Sequence, residues 1–188
     1  ATLVLSDAAK AGMDIDQKNI QSQVDRAYEI YESIGGVRQY TVGHALLTLD
    51  LGKTPPNARI EAMLRYLLEY DKDRGHWQVA IENRAPAEAS SFTTNYLAVR
   101  AANRYGTDDL QDAIDARIDA VRKWFSEAEV QTTEDQVFRL FLSKELGMPD
   151  RTREPFVRRL LAEQHASGGW AQQTGMDADP YATASVLV

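Results

Sequence analysis

One segment of this chain occurs twice. Leu67-Leu68-Glu69-Tyr70-Asp71-Lys72-Asp73-Arg74-Gly75-His76-Trp77 is matched by Leu160-Leu161-Ala162-Glu163-Gln164-His165-Ala166-Ser167-Gly168-Gly169-Trp170. In both copies an apolar pair closes a helical pattern, a polar residue follows, and Gly-x-Trp comes four residues after that residue. A helix end that recurs together with its turn predicts stacked repeats, since one such unit cannot bury its apolar face alone.

Helical periodicity runs through almost the whole chain. Ile20, Val24, Ala27, Tyr28 and Tyr31 fall at three- and four-residue spacings, as do Ile60, Met63, Leu64, Leu67 and Leu68, and as do Leu110, Ala113, Ile114, Arg117, Ile118, Val121, Trp124 and Phe125. That spacing predicts one-faced helices. Between them lie segments that are apolar on more than one side, Tyr40 to Leu51, Phe92 to Tyr105 and Glu134 to Leu146, each followed by a glycine suited to the left-handed position after a helix.

Aligned on those glycines, Gly52, Gly106 and Gly147, the three segments share a register. One residue before glycine stand Leu51, Tyr105 and Leu146; five before, Leu47, Ala101 and Leu142; seven before, Ala45, Val99 and Leu140; ten before, Val42, Tyr96 and Val137. Ala1 to Ala11, followed by Gly12, fits the back half of another such helix, and the middle repeat carries an insertion around Ala80 to Ala89. The order is therefore a one-faced outer helix, a turn, then a buried inner helix, about nine helices in all. Two of the turns carry capping chemistry: Thr132-Thr133-Glu134-Asp135 has capping-box spacing, and Asp179-Pro180 places a carboxylate at the cap with proline at the first helical position.

With 188 residues and 44% hydrophobic content, one domain over 1–188 can share a continuous core. The net charge of -7 comes from scattered acids, and no Lys/Arg stripe with interleaved aromatics is present, which argues against a nucleic-acid partner. The absence of cysteine excludes disulfides, thiolate nucleophiles and Cys-containing zinc sites. No apolar run reaches the ~18 residues of a membrane span. Both ends fall inside helical patterns and the chain begins with Ala1, so a fragment of a larger protein is expected.

Gln164-His165-Ala166-Ser167-Gly168-Gly169-Trp170 resembles the Q-x-x-x-G-x-W motif of the squalene-hopene cyclase and protein prenyltransferase superfamily. The continuation Ala171-Gln172 through Tyr181-Ala182-Thr183-Ala184 is similar to the same family, and Thr132 to Leu140 resembles its uncharacterised bacterial members with prenyltransferase and squalene-oxidase repeats. The resemblance implies an all-α fold, an α/α toroid of alternating inner and outer helices or part of one. The bacterial members it resembles lean toward an exported protein. The first copy departs from the motif, with Asp71 in place of the glutamine, and the other hairpins lack Gly-x-Trp. Trp77 and Trp170, with Gln164 and Gly168, are expected to act structurally: the tryptophan covers the helix end, glycine allows the sharp turn, and the glutamine amide satisfies unpaired backbone groups.

Catalysis in the cyclases of that superfamily would need a D-x-D-D acid. Asp14-Ile15-Asp16, Asp71-Lys72-Asp73 and Asp177-Ala178-Asp179 each lack the second adjacent aspartate, and Asp179 fits a helix cap. The zinc site of the prenyltransferase branch requires a cysteine that this chain does not have. His76 and His165 lie at turns with no carboxylates at ligand spacing, so neither metal nor other cofactor is expected.

The polar or small columns of the inner helices, eleven, eight and four residues before glycine, are Thr41, His44 and Thr48; Asn95, Ala98 and Ala102; Gln136, Arg139 and Ser143. Each set lies on one helical face. His44, Asn95, Gln136 and Arg139 are thus candidate lumen residues, with Arg139 as an anion clamp and His44 as a hydrogen-bond partner; the alternative is a set of satisfied buried groups tying the helices together. Three functions are compatible with this pattern. The favoured one is a non-catalytic toroid that binds a small polar or anionic ligand or a peptide segment. The others are part of a terpenoid-cyclase-like enzyme whose acid lies outside this chain, and an open helical scaffold binding along a concave face.

Overall fold

The computed structural model describes residues 5, 8–33, 39–79, 85 and 89–188, the side chains of 30–33, 39 and 40 excepted. The fold is all-α, with no strand among the described residues. Eight helices follow a short helical stretch over 8–10: α1 (Gln17–Ser33), α2 (Gln39–Leu51), α3 (Ala58–Glu69), α4 (Ser91–Tyr105), α5 (Gln111–Glu127), α6 (Thr133–Glu145), α7 (Asp150–Ala162) and α8 (Pro180–Leu187). Single 3-10 turns span Lys72–Arg74 and Asp108–Leu110. Most of the expected half-helix Ala1 to Ala11, and most of the insertion Ala80 to Ala89, lie outside the described residues.

Alternate helices form two layers. The even-numbered helices pack side by side as a row, α2 on α4, α4 on α6 and α6 on α8. The odd-numbered helices cover that row, α1 on α2, α3 on α2 and α4, α5 on α4, and α7 on α6. This follows from the apolar patterns. α3 buries one stripe, Ile60, Met63, Leu64, Leu67 and Leu68, at helical spacing. α4 has neighbours on several sides and buries 11 of its 15 residues.

Local chemistry sets the helix starts. Asn57 accepts from the Arg59 and Ile60 amides at 3.0 and 3.1 Å. Thr132 and Asp135 form the expected capping box, and Asp179 accepts from the Tyr181 and Ala182 amides. Each such cap is worth about 1 kcal/mol.

The helix ends differ from expectation at two of three glycines. Gly147 is left-handed, with φ +69. Gly52 and Gly106 are not; a Cβ on Gly52 would come within 2.4 Å of Val24, and one on Gly106 within 2.7 Å of Ile114. Gly52 is crowded by the covering helix and Gly106 by both the Ala102 carbonyl of its own helix, at 2.6 Å, and the covering helix, while Lys53 takes the left-handed conformation after α2, with φ +57.

Candidate functional site

The two tryptophan segments share one indole hydrogen bond. The Trp77 indole N–H donates to the Leu67 carbonyl at 2.8 Å, and that of Trp170 to the Leu160 carbonyl at 2.7 Å. Each satisfies a carbonyl in the last turn of a covering helix, where α-helices run out of amide partners. Gly75 and Gly168 are both left-handed, with φ +83 and +87, and so turn the chain back over the helix end. Satisfying the helix end thus falls to the indole rather than to the glutamine amide. Gln164 instead closes the turn itself, donating from Nε2 to the Gly168 carbonyl at 2.7 Å. In the first copy Asp71 has no amide to donate; its φ of +48 and the Lys72–Arg74 turn bring the chain round instead. Arg117, read as part of an apolar stripe, lies with its guanidinium 4.0 Å from the Trp77 ring centre and donates to the Tyr70 carbonyl at 3.2 Å.

A side chain near the start of the next row helix clasps each tryptophan's main chain. Asn95 Oδ1 accepts from the Trp77 amide at 3.1 Å while its Nδ2 donates to the Trp77 carbonyl at 2.8 Å. Thr183 Oγ1 accepts from the Trp170 amide at 2.9 Å. Gln136 occupies the corresponding place in α6, but the α5–α6 hairpin has no Gly-x-Trp to clasp. Gln136 therefore reaches across to α7, where its Nε2 donates to Glu163 at 2.6 Å, and its Oε1 is buried without a hydrogen-bond partner. An orphan acceptor of this kind costs about 1–3 kcal/mol.

The four candidate lumen residues do not converge on one cavity. Three of the four face the covering layer. Asn95 is fully buried in its clasp. Arg139 is inserted among phenyl rings, 4.0 Å from the centre of Phe156, 5.2 Å from Phe125 and 5.9 Å from Phe92, and burial together with the nearby Arg159 charge holds its guanidinium below the usual range. Three ring faces flank a side chain that stays partly exposed. His44 is half-buried on α2, and burial pushes its imidazole down to about 4. His76 stacks on Trp124 with ring centres 4.6 Å apart.

Gln136 lines a cavity. This space, of about 180 Å³, lies between the start of α6, the end of α7 and the loop 171–175, and its wall includes Thr133, Arg159, Glu163, His165 and Thr174. Arg159 Nε donates to Glu163 Oε1 at 3.1 Å, so one carboxylate holds both the guanidinium and the Gln136 amide. Thr133 is committed to the loop, its Oγ1 donating to the Ala171 carbonyl at 2.6 Å and its amide to the Gln172 carbonyl at 3.0 Å.

The opposite side of the row carries different chemistry. Glu134, Phe138, Phe141 and Glu145 share that face of α6 by helical spacing. Tyr96, Phe138 and Phe141 form a mutual cluster with ring centres 5.5 to 5.6 Å apart. At one end of it the buried Glu134 accepts from Thr93 at 3.1 Å and from Tyr181 at 3.0 Å; burial pushes its carboxyl above the usual carboxylate range while those two hydrogen bonds pull the other way. At the other end Asp50 receives Arg100 at 2.6 Å and Arg104 at 2.9 Å. Capping-box spacing marks 132–135 as a helix start, but only the packing of α4 and α8 on α6 makes Glu134 a buried acid.

Among the described residues no group of three or more His, Asp or Glu is placed to hold a metal ion. No described helix is long and apolar enough to cross a membrane. Compared with protein-family models, curated proteins and solved structures, the chain matches none.

Proposed function

We propose that this chain is a squalene-cyclase-like helical-repeat module, part of an α/α toroid, and that it binds a ligand in the polar cavity at the start of α6. The duplicated tryptophan anchors and the alternation of row and covering helices support the toroid. The observation that carries the binding reading is the polar cavity of about 180 Å³ walled by Gln136, Arg159, Glu163, His165 and Thr174, behind which the Gln136 carbonyl oxygen is buried without a partner. Native proteins rarely leave such a group unmatched. Titration of isotope-labelled protein with a set of small polar and anionic compounds tests it. Saturable shifts are expected in the Gln136 side-chain amide and the backbone amides of Thr174 and Gly175. Silence at those three sites across the set would remove the reading.

A second reading, an enzyme of terpenoid-cyclase type, is favoured by the other face of the row. Ring faces stabilise developing positive charge, and Tyr96, Phe138 and Phe141 supply three beside a carboxyl whose burial favours the protonated form. Incubation with squalene and with farnesyl diphosphate, followed by product analysis, decides this. Turnover lost in Glu134→Gln would establish it, and absence of product from both would set it aside for these substrates.

A further inference from the structure

We infer that the seam between α6 and α7 binds a tetrahedral oxyanion, a phosphate or phosphoryl group, between the guanidinium groups of Arg139 and Arg159, an inference that rests on the ligand-binding reading above. Both side chains reach the same seam. Gln136 and Arg139 stand one turn apart on α6, and Phe156 and Arg159 one turn apart on α7. Arg139 lies 4.0 Å from the Phe156 ring centre, while Gln136 and Arg159 both donate to Glu163. Arg159 also forms part of the cavity wall.

Their charges are not matched. Among the described residues Arg139 makes no hydrogen bond and no ion pair; its Nε is buried, and its two terminal nitrogens are open to solvent. Arg159 spends Nε on Glu163 and leaves both terminal nitrogens unbonded, on a side chain 53% exposed. One carboxylate thus stands against two guanidinium groups, and the Arg159 charge disfavours the Arg139 cation. A partly buried cation without a counter-ion, held beside a like charge, works against folding. An oxyanion between the two removes the repulsion and accepts charge-assisted hydrogen bonds from both. The same donors select its shape. One guanidinium fork fills both oxygens of a carboxylate, whereas a phosphate has oxygens pointing apart, toward donors on two different helices.

Inorganic phosphate titrated into isotope-labelled protein, at an ionic strength held constant with chloride and with acetate and glycerol as comparisons, tests this. Phosphate should saturate the side-chain Nε signals of Arg139 and Arg159 with one-site behaviour and bind more tightly than acetate. Its affinity should fall by about tenfold or more in Arg139→Met and in Arg159→Gln alike. Urea unfolding of the same variants separates binding from a structural role: Arg139→Met should keep or gain stability while it loses phosphate. Arg159 is exposed, so Arg159→Gln stays informative if Arg139→Met fails to fold. Acetate binding as tightly as phosphate, or phosphate affinity unchanged in either variant, would overturn the inference. So would silence of both arginines toward phosphate. The cavity reading would fall with it only if Gln136 and Thr174 also stay silent across the wider set of polar compounds.

Discussion

The indole N–H of Trp170 donates to the carbonyl oxygen of Leu160 at 2.7 Å, ten residues upstream, and closes the end of α7 from outside the helix. Trp77 makes the same bond to Leu67 across the same sequence separation. The tryptophan is thus both a buried ring and a hydrogen-bond donor, and the two contributions separate by substitution. Trp170→Ala, and equally Trp77→Ala, should cost about 3–5 kcal/mol in urea unfolding, the range for deleting a large buried aromatic. Trp77→Phe keeps most of the ring and should lose about 1–3 kcal/mol through the unpaired Leu67 carbonyl, while Trp170→Phe should lose less, since the Leu160 carbonyl still accepts from the Glu163 amide at 3.2 Å. A loss under about 1 kcal/mol for either alanine variant would mean that copy is not an anchor.

Asp179 accepts from the Tyr181 and Ala182 amides at 2.9 and 3.0 Å, and nothing in that geometry depends on its charge. Asp179→Asn should therefore be close to neutral, while Asp179→Ala should cost about 1 kcal/mol in the same unfolding assay. Equal losses would point to a need for the carboxylate itself.

Two buried groups give opposite pH signatures. His44 is held neutral in the fold, with its pKa moved from 6.5 to about 4, so the unfolded chain binds more protons between those values. Its contribution is complete above pH 6.5 and is lost as pH falls toward 4, by at most about 3 kcal/mol. Glu134 is shifted upward, so the folded chain binds more protons and stability declines as pH rises from its ordinary 4.5 toward the raised value. Unfolding free energies measured from pH 4 to 7 should lose their acid limb in His44→Gln and gain at the upper end in Glu134→Gln. An acid limb unchanged in His44→Gln would assign that limb to other groups.

Arg139 sits among three phenyl rings, and its Nε is buried without a hydrogen-bond partner. Replacing such a charge by a well-packed apolar chain is often neutral or favourable. Arg139→Met should unfold within about 1 kcal/mol of the parent, or later. A loss above about 2 kcal/mol would mean that the ring contacts outweigh the cost of burying the charge.

Much of the helix plan could be read from residue order alone, because its signals are local. The stripe Ile60 to Leu68 lies within α3, and Thr132 with Asp135 marks the start of α6 as expected. The handedness at Gly52 and Gly106 is not legible because a glycine needed for close approach, by Val24 in one case and by the Ala102 carbonyl and Ile114 in the other, looks the same in sequence as one needed for a positive φ. The orientation of the polar column is not legible in the sequence for a related reason. Periodicity groups Asn95, Gln136 and Arg139 on a face without saying which layer that face meets, and the meeting is set by residues tens of positions away, Trp77, Glu163 and Phe156. Glu163 was in plain view at the second helix end, yet its pairing with Gln136 depends on how α7 lies against α6.

Thr93, Glu134 and Tyr181 come from three neighbouring helices, α4, α6 and α8, and meet at a single carboxyl. Apolar side chains tolerate sliding, because a ridge displaced by one turn finds another groove. Two hydrogen bonds to opposite oxygens of one carboxyl do not, since a slip of one turn is about 5.4 Å and would break both. Glu134 therefore acts as a vernier for the row, fixing the stagger of each helix against the next while the greasy contacts around it supply the adhesion.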